Sequence, residues 1–247
     1  MPQNRSKLAS EHLIKHGYCM LPDLAEAALI DELIHECEAA FQVERLDSFA
    51  SSSRGHVYAA RNLVDHVPML RTFWQGGVIE SFLTEHLGER FGLVRILYFD
   101  KPPDRTWALG WHKDTAIAVA SHGVESRHFS RPTVKAGTPH VIASDPILQN
   151  MLTLRIHLDK VTRENGPLRI IPQSHEHREC EGLGIENSQM ILAERGEILA
   201  MRPLLSHCSG ASEPHTTRHR RILHLEFASS EQLPDNYQWH QFISIQR

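Results

Sequence analysis

MLTLRIHLD, residues 151–159, alternates along its whole length: Leu152, Leu154, Ile156 and Leu158 fall on one side of an extended chain, and Thr153, Arg155, His157 and Asp159 on the other. A helix would scatter both sets around its circumference, so the stretch reads as a strand with one apolar and one polar face. RRILHLEFA, residues 220–228, repeats the pattern: Arg221, Leu223, Leu225 and Phe227 oppose Arg220, Ile222, His224 and Glu226. If helices cover the two apolar faces, the two polar faces look into a shared cavity; polar faces that simply meet water are the competing reading.

Working outward, GLVRILYF (92–99), PLRII (167–171) and EILAM (197–201) are further short apolar runs bounded by turn residues. Short strands joined by long irregular connections predict a mainly β fold, a double-stranded β-helix (jelly roll, cupin-like), instead of a doubly wound sheet. Residues 1–90 read mostly as helix. Within 24–41, Leu29, Ile30, Leu33, Ile34 and Cys37 share one face, with Asp23 at the N-cap position. A second helical region over 68–86 is interrupted near Gly76 and Gly77 and ended by Gly88. These N-terminal helices are expected to pack on one sheet. Residues 116–147, rich in Gly, Pro, Ser and His, read as a long lid or binding loop. The expected organisation is a single domain over 1–247, with a helical part (1–90), a jelly-roll core (91–228) and a C-terminal extension (229–247).

Composition narrows the partners. With 41% hydrophobic and 23% charged residues the chain is of the folded, globular type. No apolar run approaches a membrane-spanning length, and the polar start carries no apolar signal-peptide centre, so no membrane partner and a cytoplasmic location are expected. A formal net charge of -4 offers no footprint for nucleic acid. Cys19, Cys37, Cys180 and Cys208 form no CxxC pair and read as reduced thiols. Oligomeric state is left open.

The chemistry rests on a pattern that occurs twice. His112 and Asp114 in ALGWHKDTA (108–116), and His157 and Asp159 in RIHLDK, are both His-x-Asp pairs. With 18 histidines in 247 residues, about 0.7 such pairs arise by chance, so the surroundings must decide. An iron site for oxygen chemistry needs two imidazoles and one carboxylate on one face of the metal, with positions left open opposite. Residues i and i+2 of a strand supply two of these ligands, and a distant strand must bring the third. His207, in RPLLSHCSG between two strands, is suitably placed.

Five pieces in order, FDKPPD (99–104), WHKD (111–114), ENGPLRIIPQSH (164–175), SHCS (206–209) and RRILHLEFA (220–228), resemble the phytanoyl-CoA dioxygenase-like family of Fe(II)/2-oxoglutarate-dependent oxygenases. The resemblance covers roughly residues 91–228. It implies that His112, Asp114 and His207 are the metal ligands and catalytic centre. His157 and Asp159 then belong to the strand leading into the ENGP turn, where Asp159 is expected to anchor the turn by hydrogen bonds.

The resemblance also implies a dicarboxylate co-substrate, 2-oxoglutarate, whose distal carboxylate is held by an arginine. Spacing after His207 points to Arg218, and alignment of RRILHLEFA points to Arg220. Arg220 is preferred because it lies on the less apolar face of its strand. Ser209 is expected beside the same carboxylate, and Thr153 and Arg155 are expected to contact co-substrate or substrate. His175, His177, His215, His219 and His224 are read as surface or supporting residues, and Trp107 and Trp111 as packing at the cavity mouth. One departure concerns a turn: the family's Pro-Gly-Ser-His appears here as PQSH, with Gln173 in place of glycine. The implied activity is hydroxylation of an unactivated C–H bond in a small metabolite, using dioxygen and Fe(II), with ascorbate supportive in vitro. The alternatives are a non-catalytic jelly-roll metal- or ligand-binding protein and a cupin-like hydrolase or isomerase.

Overall fold

A computed structural model describes residues 2–21, 26–42, 49–53, 56–103, 106–177 and 184–245. The chain opens with α1 (Pro2–His16), β1 (Tyr18–Leu21) and α2 (Ala27–Ala40), followed by the hairpin of β2 (Ala50–Ser53) and β3 (His56–Ala60) and then α3 (Gly77–Leu87). The strands β4 (Gly92–Phe99), β5 (Leu109–His112), β6 (Ala116–Ala118), β7 (Phe129–Lys135) and β8 (Thr138–Ala143) come next. A single helical turn, α4 (Asp145–Leu148), precedes β9 (Met151–His157), β10 (Leu168–Ile170), β11 (Gln189–Ile191), β12 (Ile198–Met201), β13 (His207–Ser209), β14 (Ile222–Ala228) and β15 (Ile243–Ser244).

The fold is mainly β and antiparallel, a jelly roll. Its larger sheet runs β1-β12-β9-β14-β4-β3-β2, with β15 added to β4; the smaller facing sheet runs β11-β10-β13-β5. β9 and β14 lie side by side in the register Ile222↔His157, His224↔Arg155 and Glu226↔Thr153, which brings the two polar faces read from the sequence onto the same side of the sheet. Their apolar faces point the other way. Leu152, Leu154, Leu223, Leu225 and Phe227 are fully buried there, in one cluster with Ile30 and Leu33 of α2 and Phe82 and Leu83 of α3. Burial of each such side chain contributes about 1.5–3 kcal/mol, enough to hold the helices on this face and leave the other face for the cavity. The Trp74 ring, 5.1 Å from that of Phe227, closes the cluster.

Several sequence expectations are corrected. The described part of the first ninety residues contains three strands besides the helices: β1 extends the large sheet beyond β12, and β3 pairs with β4. The region 116–147 is not an irregular loop but holds a three-stranded sheet in the order β6-β8-β7. β7 escaped the sequence reading because most of it is exposed and it contains Pro132, so it lacks an apolar alternation. Part of the C-terminal extension is strand as well, Ile243 pairing with Leu93. Asp23 and Cys180 lie outside the described residues; α2 starts at Ala27 with no side-chain cap from Glu26.

The turn expected at PQSH forms without glycine. Gln173 takes the left-handed conformation, φ 67°, that a glycine would adopt at lower cost. Its N–H still donates to the His16 carbonyl, 3.0 Å away, which ties the turn to the end of α1. Gly17 next door also has positive φ, and a Cβ there would lie 2.5 Å from His175 Nδ1, so the close approach of these two segments requires glycine.

Candidate metal centre

His112 ends β5 and His207 begins β13, and the two strands pair so that these residues are direct partners. Their rings lie 4.2 Å apart, centroid to centroid. Asp114 falls just past the end of β5, where its N–H donates to the Pro203 carbonyl at 2.9 Å, and its carboxylate is turned back between the imidazoles. His112 Nε2 is 3.8 Å from Asp114 Oδ1, and His207 Nε2 is 3.5 Å from Asp114 Oδ2. One potential ligand atom from each residue lies within 4.8 Å of the other two.

The hydrogen bonding of the rings fits them to a cation. His112 Nδ1 faces the Gly110 carbonyl at 2.7 Å and His207 Nδ1 faces that of Leu205 at 2.9 Å. A carbonyl oxygen only accepts, so each Nδ1 carries its proton and each Nε2 presents a lone pair toward Asp114. Burial pushes His207 down to about 4, which keeps this imidazole neutral and ready to ligate at neutral pH. Burial alone would raise Asp114, but His207, His224, His112 and Arg155 outweigh it and hold the carboxyl well below the usual range. Asp114 Oδ2 is buried and accepts no hydrogen bond. A buried anionic oxygen without a donor, between two bare imidazole nitrogens, is what a divalent ion would satisfy.

The centre opens into a cavity of about 330 Å³ between the two sheets, within the usual size of small-molecule sites. Arg220 reaches this cavity from the start of β14 with only 1% of its surface exposed, and its Nε and Nη1 have no partner. Burial, then Arg155, depresses it to about 9. Arg218 is instead exposed, 3.9 Å from Glu164, and Arg221 is bound by Asp159 and Glu38. Ser209 lines the cavity. Arg155 does too, with its Nη1 3.0 Å from His224 Nδ1. Thr153 is buried but does not join them. The register sets it opposite Glu226, six residues along β14 from Arg220, and it is not on the cavity wall.

Two residues near the centre carried no assigned chemistry in the sequence reading. Lys101, from FDKPPD, is fully buried; its Nζ donates to Ser209 Oγ at 3.2 Å and to the Gly210 carbonyl, and stands 4.5 Å over the Trp107 ring. Burial, then Arg220 and Arg155, pushes Lys101 down to about 7. His224, read as a supporting residue, is on the cavity wall with Nε2 3.9 Å from Asp114 Oδ2 and 3.3 Å from Glu226 Oε1. Neither residue has a metal-ligand spacing; the one usable signal was the placement of His224 on the same face as Arg220.

The second His-x-Asp pair has a different fate. His157 Nδ1 faces the Glu197 carbonyl at 2.9 Å. Asp159 accepts from the Arg221 backbone N–H and from its Nε and Nη2, each at 2.8–2.9 Å. This corrects the expected role of Asp159: it clamps the start of β14, whereas the ENGP turn is held by Asn165, which accepts from the Thr162 N–H and donates to the Lys160 and His219 carbonyls.

No curated protein sequence matches the chain significantly. Solved structures similar to it include AviO1 from Streptomyces viridochromogenes Tue57, 18% identical with a TM-score of 0.67 over 93% of this chain and 97% of that one. The iron-bound EctD from S. alaskensis is 15% identical with a TM-score of 0.70, covering 98% and 86%. The α-ketoglutarate-dependent carbocyclase SnoK of nogalamycin biosynthesis is 16% identical with a TM-score of 0.64, covering 92% and 85%. At these identities the likeness is one of fold. The family model described as phytanoyl-CoA dioxygenase (PhyH) matches residues 13–222, most of the chain. The chain therefore belongs to the phytanoyl-CoA dioxygenase family.

Proposed function

We propose that this protein is an Fe(II)- and 2-oxoglutarate-dependent dioxygenase that hydroxylates an unactivated C–H bond of a small metabolite. The observation that carries the reading is the pairing of the His112, Asp114 and His207 triad with Arg220, a buried guanidinium without a partner that reaches the same cavity. When bound, the iron supplies the oxidising chemistry, with dioxygen and 2-oxoglutarate as co-substrates and succinate as a product.

The protein's own residues supply position. His112, Asp114 and His207 hold the ion from one side and leave the other side to the cavity. Arg220 receives the distal carboxylate of the co-substrate in a two-pronged contact that a lysine would not reproduce. Ser209 and Lys101 stand beside it. The exposure of the ligands gives the direction of entry: the His207 side chain is 3% exposed and that of His112 is 31%, so substrate approaches over His112. Members of this fold also perform other outcomes; SnoK is described as a carbocyclase and SnoN as an epimerase. Product mass separates these, since only hydroxylation adds an oxygen atom.

The test is succinate release with Fe(II), 2-oxoglutarate and ascorbate, with Asp114→Ala as control. Turnover in the native protein that the variant lacks supports the reading. Equal rates in both, together with Asp114-dependent metal binding, favour a non-catalytic jelly-roll binding protein or a cupin-like hydrolase or isomerase.

A further inference from the structure

Arg220 is not the only cation on the cavity wall, and the others are not explained by the co-substrate. Arg61, Arg95 and Lys135 also line it. Their positions follow from the sheet. β3 pairs with β4 as Ala59↔Phe99 and Ala60↔Tyr98, so Arg61, the next residue, stands level with Leu97, which is itself the partner of His224. Arg61 is therefore two strands from His224, about 10 Å across the sheet, while Arg220 stands just before β14, four residues ahead of His224 and about 13 Å away along the strand direction. The two cationic regions are separate.

Lys135 reaches Arg61 from an element remote in sequence, and the approach is built. Lys135 ends β7 before a tight turn through Ala136 and Gly137, both at positive φ, which pairs it with Thr138 of β8. Asn62, adjacent to Arg61, donates from Nδ2 to Thr138 Oγ1 at 2.9 Å and to the Ala136 carbonyl at 3.4 Å. The hairpin tip is thus pinned beside Arg61.

The charges there do not balance. Arg95 is committed to Glu226, with Nη2 to Oε1 at 2.5 Å and Nε to Oε2 at 2.9 Å. Among the described residues, Arg61 and Lys135 make no ion pair and no side-chain hydrogen bond. Burial and then the neighbouring cations depress both, Arg95 acting on Arg61, and Arg61 and Arg95 acting on Lys135. His140, buried on β8, feels the same field: burial first, then Arg95, Lys135 and Arg61, push it down to about 4. Holding like charges together on a cavity wall costs stability unless an anion occupies the space.

We infer that Arg61 and Lys135 form the seat for an anionic group of the substrate, so that the substrate is a small organic acid or phosphate ester whose anion lies on the β3 side of the metal centre. The inference rests on the oxygenase reading for the word substrate; the anion seat itself does not.

The experiment measures binding of inorganic phosphate and, in a separate arm, acetate by calorimetry, to anaerobic Fe(II)-loaded protein with and without saturating 2-oxoglutarate. Saturation fills the Arg220 end. Native protein is expected to bind at least one of the two anions, and the arm that binds names the group. The double variant Arg61→Gln/Lys135→Gln is expected to bind it about tenfold or more weakly, while Arg61→Lys/Lys135→Arg, which keeps both charges, stays within about threefold. Equal anion binding in native protein and the glutamine variant overturns the inference, as does a native protein that binds neither anion. Failure of native protein to bind 2-oxoglutarate counts against the oxygenase reading alone, because the anion arm without co-substrate still reads the seat.

Discussion

The two His-x-Asp pairs share a spacing and have opposite environments. At His112 and Asp114, no arginine among the described residues pairs with the carboxylate, its Oδ2 is buried without a donor, and a second imidazole is delivered by the neighbouring strand. At His157 and Asp159, Arg221 occupies both carboxylate oxygens with three hydrogen bonds and supplies the positive charge that an ion would otherwise bring. The pattern alone therefore carries no chemistry. Whether a carboxylate ligates metal or clamps a strand is decided by what charge stands against it, and that is a property of the sheet register.

The contrast breaks most visibly at the ligands. Asp114→Ala is expected to weaken Fe(II) binding by more than about 100-fold, since even residues that only support a ligand cost 10–100-fold, while leaving the melting temperature of the metal-free protein nearly unchanged. Calorimetric metal titration and thermal unfolding read the two quantities. Asp159→Ala is expected to do the reverse. It frees Arg221 at the start of β14 and removes a largely buried, triply bonded carboxylate, so about 2–3 kcal/mol of stability is lost, a fall of about 5–10 °C, with metal affinity intact.

The Asp159 clamp also has a pH signature. Burial would raise its pKa, but the hydrogen bonds and charge of Arg221 bring it below the usual carboxylate range. A depressed folded-state pKa adds stability above the unfolded value and loses it as pH falls through the folded one. The stability gap between native protein and Asp159→Ala, measured by denaturant unfolding, is therefore expected to be full at neutral pH and to shrink below about pH 4.

A smaller effect sharpens the same principle among the arginines. Arg220→Gln is expected to weaken 2-oxoglutarate binding by about 10–100-fold, and Arg218→Gln to change it by less than about twofold, because Arg218 faces solvent near Glu164. Equal losses from both would mean that the cavity face of β14 does not hold the co-substrate. The smallest expected effect is at the turn. Gln173→Gly relieves a left-handed residue but adds freedom to the unfolded chain, and the two nearly offset, giving a gain between zero and about 1 kcal/mol by chemical denaturation.

Legibility in the sequence followed alternation. β9 and β14 were readable residue by residue because burying one face and lining a cavity with the other imposes a strict period of two. The candidate ligand triad was legible through motifs on or beside β5 and β13 of the smaller sheet, and Arg220 through the motif that leads into β14. Where a strand has little apolar content, as in β2, or is mostly exposed, as in β7, the signal vanishes and the segment passes for a loop. Arg61, Arg95, Lys135 and His224 were invisible as a group for a different reason. Each is an ordinary residue in its own stretch, and only the register of β3, β4 and β14, with the Asn62 contact to the hairpin, brings them to one wall.

The central claim is that His112, Asp114 and His207 together, and not the second pair His157 and Asp159, hold the iron. Crystals grown anaerobically with Fe(II) and measured at the iron absorption edge test it directly. The account predicts one strong anomalous peak at bonding distance from both Nε2 atoms and the Asp114 carboxylate. A peak at His157 and Asp159, or no peak between the three predicted side chains, would contradict it.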